Sequence, residues 1–176
     1  VDSVADDGSA PSASPWPILG DLLAARDAVP VAFVPCAKGS TTHSQWVPGA
    51  DHFDRSTLYG QMAHRAQLAG ARAVLWYIGE SDALASTSAA TVQAHVETIA
   101  AAVAADLGIP SYHAKIHSWT SGPSIAAVNT GITAGVAAAA NALPGPDQSA
   151  VVLGNIHYLT TPELTQLATA WRDALP

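Results

Sequence analysis

Short apolar runs rich in β-branched and aromatic residues alternate with longer segments whose apolar residues recur every three or four positions, from Pro15 to the C-terminus. That alternation is the mark of βαβ units, in which successive strands run parallel and each crossover is a helix. It predicts an α/β fold, a three-layer α/β/α sandwich around a parallel sheet. Pro15 and Pro17 open a helical stretch carrying Ile18, Leu19, Leu22 and Leu23, and residues 30–34 read as a buried strand. Ser56 is placed to cap a second helix with Leu58, Met62 and Ala66 on one face, ending near Gly70 and followed by a strand at 73–77. A third helix at about 88–107 sets Val92, Val96, Ile99, Val103 and Leu107 on one stripe and stops at Gly108, before a strand at 112–117. Residues 126–143 have a helical pattern despite Gly131 and Gly135, and Pro144-Gly145-Pro146 reads as the closing turn. A short strand at 151–153 precedes a last helix, capped by Thr161 with Pro162 first and Leu164, Leu167, Trp171 and Leu175 inside.

At 176 residues and 49% hydrophobic, the chain can bury one substantial core but not two. A single domain over 1–176 is expected. No apolar run reaches the roughly 18 residues of a membrane span, and residues 1–14 are small, polar and acidic, unlike a signal peptide. Seven basic against fourteen acidic residues leave a formal charge of −7 with no local Lys/Arg cluster, which argues against a nucleic-acid partner. Membrane is likewise not an expected partner. Cys36 is the only cysteine, so pairing says nothing of compartment. Few lysines and abundant Ala, Thr and Ser suit a secreted bacterial protein, but localisation stays open.

In open parallel sheets ligands bind beyond the carboxyl ends of the strands. Three of those ends are polar: Ala37-Lys38-Gly39-Ser40-Thr41 with Trp46 behind, Gly79-Glu80-Ser81-Asp82, and Asn155-Ile156-His157-Tyr158. The run from Val34 through Gly39-Ser40-Thr41 to Gln45-Trp46, the run Leu75-Trp76-Tyr77-Ile78-Gly79-Glu80-Ser81-Asp82, and Ile156-His157-Tyr158 resemble the sialate O-acetylesterase-like, carbohydrate-esterase branch of the SGNH (GDSL-like) hydrolases. The resemblance implies a flavodoxin-like sheet and metal-free, cofactor-free hydrolysis of short acyl esters, O-acetyl groups on a carbohydrate, through an acyl-serine intermediate. It maps the general base to His157 and an oxyanion-binding amide to Gly39, with Gly79, Glu80, Ser40 and Asn155 organising the site. The substrate it implies is an acylated carbohydrate or small ester. The physical roles are familiar ones: a base within reach activates a hydroxyl, and fixed donors stabilise charge that develops only in the transition state.

Three positions depart from the family pattern. The Gly-Gln-Ser-Asn block that carries the nucleophile is not found, and it is expected upstream of Val1 together with the first strand, as a separate N-terminal segment. Ile78 stands where the family usually has a glutamine donor, and one such donor is worth about 10²–10³ in turnover. Gly154 stands where relatives have the aspartate that orients the histidine, a partner worth on the order of 10⁴; Asn155 is the available substitute. The rival reading is a non-catalytic carbohydrate-binding relative or an inactive fragment.

Each candidate also has a plainer reading. His157 can serve the turn between a strand and a capped helix. Ser40 can bond its own loop rather than attack, and Ser3 in Val1-Asp2-Ser3-Val4 follows no strand. Glu80 and Asp82 can be an acid pair or loop and helix anchors. His113 and His117 share one face of the expected strand and could bind zinc, but no third ligand stands nearby. Cys36 reads as a small hydrophobe, and Trp46 either lines a sugar cleft or packs in the core.

Overall fold

The computed structural model describes residues 14–157 and 160–176, and within them six α-helices and five strands are interspersed along the chain. Helix α1 (Trp16–Asp27) starts at the two prolines and ends at Ala28 in the left-handed region. Helix α2 (Leu58–Ala69) is capped by Thr57, whose hydroxyl accepts the Gly60 amide at 3.0 Å, and is terminated by left-handed Gly70. Ser56 is therefore not the cap; its hydroxyl and amide bind the Asp54 carboxylate. Strand β1 (Val74–Trp76) leads into the short α3 (Glu80–Leu84), and α4 (Ala89–Leu107) runs from a Ser88 cap to Gly108. Strands β2 (Ser111–Lys115) and β3 (Ser118–Trp119) precede α5 (Ala126–Ala138), then β4 (Ala142–Asp147) and β5 (Val152–Leu153). Helix α6 (Thr161–Ala174) begins one residue earlier than expected: Thr160, not Thr161, is the cap and accepts from the Glu163 amide, and the Glu163 carboxylate accepts the Thr160 amide in return.

All strand pairs are parallel, in a three-stranded sheet ordered β1-β2-β4 and a two-stranded ribbon of β3 with β5. Alternate side chains of the main sheet enter opposite layers. Leu75, Tyr77, Tyr112 and Ala114 face α1 and α6, where Leu19, Leu167 and Trp171 are buried. Val74, Trp76 and Ile78 face α2 and α4, packing with Tyr59, Met62 and Ile99. The expected α/β/α sandwich is thus present, and each fully buried Leu or Val in it stabilises by about 1.5–3 kcal/mol. Helix α5 completes the second layer against α4. Its Gly131 and Gly135 are required by that approach, since a Cβ at either would lie 2.6–2.7 Å from Val92 or Val96.

Two expectations about strands are corrected. Residues 142–147, including Pro144-Gly145-Pro146, form β4 rather than a helix end and a turn. Proline offers no N–H, which an edge strand tolerates, and a Cβ on Gly145 would strike the β2 backbone at Ala114 and His113. Residues 30–34 join neither sheet: Val31 and Phe33 pack on the α1/α6 core while Val34 stays exposed. Apolar residues alone do not make a strand; a ladder partner must satisfy the backbone, and none of the described residues supplies one.

Candidate active site

The loop that carries Gly39 is built from beneath. Trp46 Nε1 donates to Thr41 Oγ1 at 3.0 Å, and the Thr41 hydroxyl donates to the Lys38 carbonyl at 2.8 Å. This chain of bonds closes a tight turn in which Ser40 takes a φ of +59° and Gly39 lies at the surface. Trp46 is only 3% exposed and meets Trp76 edge-on at 5.4 Å. The cleft-lining alternative for Trp46 is therefore corrected to the core one; the indole anchors the turn and presents no face to a sugar. Thr41 precedes and Trp46 ends a 3₁₀ turn, His43–Trp46, in which the Gln45 side chain accepts the Thr42 amide at 3.0 Å.

A buried ion-pair geometry ties that turn to α3. His43 Nδ1 lies 2.8 Å from Asp82 Oδ2, the same oxygen accepts the His43 amide at 3.0 Å, and both residues are 1% exposed. Burial alone would raise the Asp82 pKa, but the hydrogen bond from His43, its charge and its amide together hold the carboxyl below the ordinary value. The Gly39 loop and the Gly79-Glu80 corner thus share one support.

The corner itself depends on Gly79. Its φ of +145° is closed to ordinary side chains, and a Cβ would lie 2.7 Å from Val128 Cγ1 and 3.2 Å from Ile116 Cγ2. The extended β1 backbone can therefore turn directly into α3, and Glu80 is the first helical residue. The Glu80 carboxyl is pushed up to about 7, first by burial and then by the negative charge of Asp82, while hydrogen bonds from the Glu80 and Gly79 amides pull the other way. A carboxyl balanced near neutrality beside a glycine corner is the kind of group active sites contain.

The third polar end follows β5. Gly154, Asn155 and His157 are exposed, and a Cβ at Gly154 would meet nothing within 4 Å. Asn155 Oδ1 accepts the His157 backbone amide at 3.1 Å, so this side chain shapes the turn through the backbone rather than the imidazole. Beneath the turn is His117, wholly buried, with Tyr77 Oη 2.8 Å from its Nδ1.

His113 and His117 do not share a face. A register irregularity between His113 and Lys115 intervenes; His113 stacks on Trp76 toward α2 and α4, and His117 stacks on Tyr77 toward α1 and α6. His113 Nε2 also bonds the Ser111 hydroxyl at 2.9 Å, and burial drives its pKa down to about 3. The two rings do not converge on a metal, and among the described residues no three His, Cys, Asp or Glu do. Cys36 is half-buried near Met62, and its thiol donates to the Val34 carbonyl at 3.6 Å. The Ser3 and Tyr158 readings lie outside the described residues.

No signal in local spacing could have found the His43–Asp82 or Tyr77–His117 pairs, because each joins residues about forty positions apart.

Residues 11–152 match the family described as carbohydrate esterase, sialic acid-specific acetylesterase. The match ends at residue 152, so it contains Gly39, Gly79 and Glu80 and stops short of His157. No curated protein matches the chain. Among solved structures the chain is similar to an Arabidopsis thaliana protein, with a TM-score of 0.79 and 25% identity over 97% of this chain and 71% of that one. It also shares its fold with a carbohydrate acetylesterase from Xanthomonas citri, with a TM-score of 0.69 and 19% identity over 91% of this chain and 39% of that one.

Proposed function

This chain belongs to the sialic acid-specific acetylesterase family of carbohydrate esterases, and from that premise we propose that it hydrolyses short acyl esters, O-acetyl groups on a carbohydrate, by a serine mechanism. The observation that carries the reading is the family match together with the positions of Gly39, Gly79-Glu80 and His157, each beyond the carboxyl end of a strand or its expected equivalent. Gly39 lies in a turn fixed by Trp46 and Thr41, which suits an amide that must already point at the oxyanion before charge develops. His157 is exposed and its amide is held by Asn155, which leaves the imidazole available to a substrate.

In the proposed reaction a serine hydroxyl attacks the ester carbonyl carbon while His157 takes its proton. The C–O bond to the serine forms, the carbonyl becomes an oxyanion received by Gly39, and collapse expels the sugar hydroxyl with the proton returned from the imidazolium. Water then attacks the acyl-serine with His157 again as base, releasing the carboxylic acid and restoring the serine. The nucleophile is assigned to no described residue. Ser40, held at a positive φ in the turn beside Gly39, belongs to the oxyanion side, and the reading places the attacking serine in a Gly-Gln-Ser-Asn block upstream of Val1. Glu80 organises the corner from inside.

A fluorophosphonate probe with peptide mapping tests this, on the natural full-length protein and on its His157→Ala variant. Labelling of one serine that depends on His157, with release of acetate from an O-acetylated sugar, is the expected result. A folded protein that binds the sugar but takes no label and releases no acetate is instead a non-catalytic binder.

A further inference from the structure

Small-molecule clefts are lined by aromatic rings with a few polar groups that fix orientation, and Trp46, buried in the core, does not serve as one. Trp119 stands where such a ring is needed. It ends β3 in register with Leu153 of β5, and Gly154, the next residue, opens the turn that carries His157. Thr120 ties the two segments together: its amide donates to the Leu153 carbonyl at 2.9 Å and its hydroxyl to the same oxygen at 3.3 Å. The indole also packs against the cluster that contains Ala83 of α3, Ile116 and Val128, the last two being the residues that a Cβ on Gly79 would meet. Trp119 thus touches both the surroundings of the Gly79-Glu80 corner and the ribbon leading to His157.

The indole is only partly buried, and its N–H is open. Trp46 Nε1 is bonded to Thr41, and the Nε1 atoms of Trp76 and Trp171 are enclosed; that of Trp119 is neither, and among the described residues it donates to none. A tight turn keeps it so. The Gly122 amide donates to the Trp119 carbonyl at 2.9 Å, Ser121 takes a φ of +62°, and the chain folds back onto the indole. A Cβ on Gly122 would lie 2.5 Å from both Nε1 and Cε2 of Trp119, so a side chain there would cover the donor or displace the ring. The ring is also tilted against the buried His117 at 6.1 Å.

We infer that Trp119 and the Gly122 turn form a subsite for the pyranose ring of the ester substrate, with the indole packing on the sugar's C–H surface and Nε1 donating to one of its hydroxyls. This rests on the esterase reading for the substrate class. An indole joins a large apolar face to a single donor, and a sugar ring offers the complement, apolar C–H faces edged by acceptor oxygens. The location fits the reaction. A platform bonded to β5 through Thr120 sets the sugar beside the base that returns a proton to its hydroxyl oxygen, and binding of the non-reacting sugar orients the ester.

The test titrates the full-length wild type with three deacetylated probes, the methyl glycosides of N-acetylneuraminic acid, glucose and xylose, and follows the indole 15N–1H resonances. The Trp119 resonance, one of five, should shift saturably with at least one probe while those of Trp46, Trp76 and Trp171 stay in place. Kinetics then compare the matching O-acetylated glycoside with an aryl acetate that carries no sugar. Trp119→Ala should raise KM for the sugar ester by roughly 10–100-fold with kcat within about twofold, because binding rather than chemistry is lost. Trp119→Phe, which keeps a ring without the donor, should raise it by about 2–10-fold. The ratio of kcat/KM for the sugar ester to that for the aryl acetate should fall by similar factors. Gly122→Ala, which crowds Nε1 and leaves Trp119 present, should lower the same ratio and serves if Trp119→Ala does not fold. A Trp119 resonance unmoved by all three probes, an unchanged ratio in the variants, or a loss of kcat at constant KM would each overturn the subsite. A wild type whose resonance shifts but which releases no acetate defeats the esterase reading alone, because the titration still decides the subsite.

Discussion

The Gly39–Glu80 side of the site and the His157 side are built on different physical terms. The first is held by the buried His43–Asp82 contact, a buried indole and a glycine whose φ of +145° no other residue accepts cheaply. The second is an exposed turn beyond a two-residue strand, in which the Asn155 side chain accepts the His157 amide. The difference teaches that the two halves of such a site need not be equally stiff. Donors for an oxyanion gain from being fixed in advance, whereas a base that receives and returns a proton needs access to solvent and substrate.

The sharpest way to break this contrast is Asp82→Ala, which leaves the buried His43 without its carboxylate and should cost about 3–5 kcal/mol in urea unfolding. The sign with pH follows from the lowered Asp82 pKa. Its stabilisation is present above the unfolded value of 3.8 and is lost as pH falls through the folded value, so wild type and variant should converge in acid. Gly79→Ala should cost about 3 kcal/mol, read as a shift of the urea midpoint at unchanged slope, since the added methyl meets both a forbidden φ and Val128.

Glu80→Gln runs the other way. A carboxyl raised to about 7 favours folding below its unfolded value of 4.5 and loses that contribution as pH rises through 7. The glutamine variant should therefore gain on wild type between pH 5 and pH 8 by on the order of 2 kcal/mol, measured as the difference in melting behaviour at the two pH values. If the gain is absent, the corner is more hydrated than its packing implies. On the opposite side, His157→Ala should leave stability within about 0.5 kcal/mol while abolishing probe labelling. A large loss of stability in that variant would erase the contrast.

Much of the frame was legible. Ser88, Gly70 and Gly108 announced helix ends because caps obey local chemistry, and the apolar stripe of α4 matched its buried face. Residues 142–147 misled because Pro-Gly-Pro is turn chemistry everywhere except at a sheet edge, and edge position is a property of topology. Residues 30–34 misled for the converse reason: they have strand composition without a neighbour. In the site, Gly79 and Glu80 were visible as a polar strand end, yet the strain at one and the raised pKa of the other come from Val128, Ile116 and Asp82 packed around them. His117 was weighed as a metal ligand because strand periodicity paired it with His113. A single irregularity in β2 undoes that periodicity and hands the ring to Tyr77.

Strand β4 ends the main sheet with two prolines and a glycine among its six residues. A foreign strand approaching that side would find missing donors where it needs them, and the chain is guarded there against joining copies of itself into a growing ribbon.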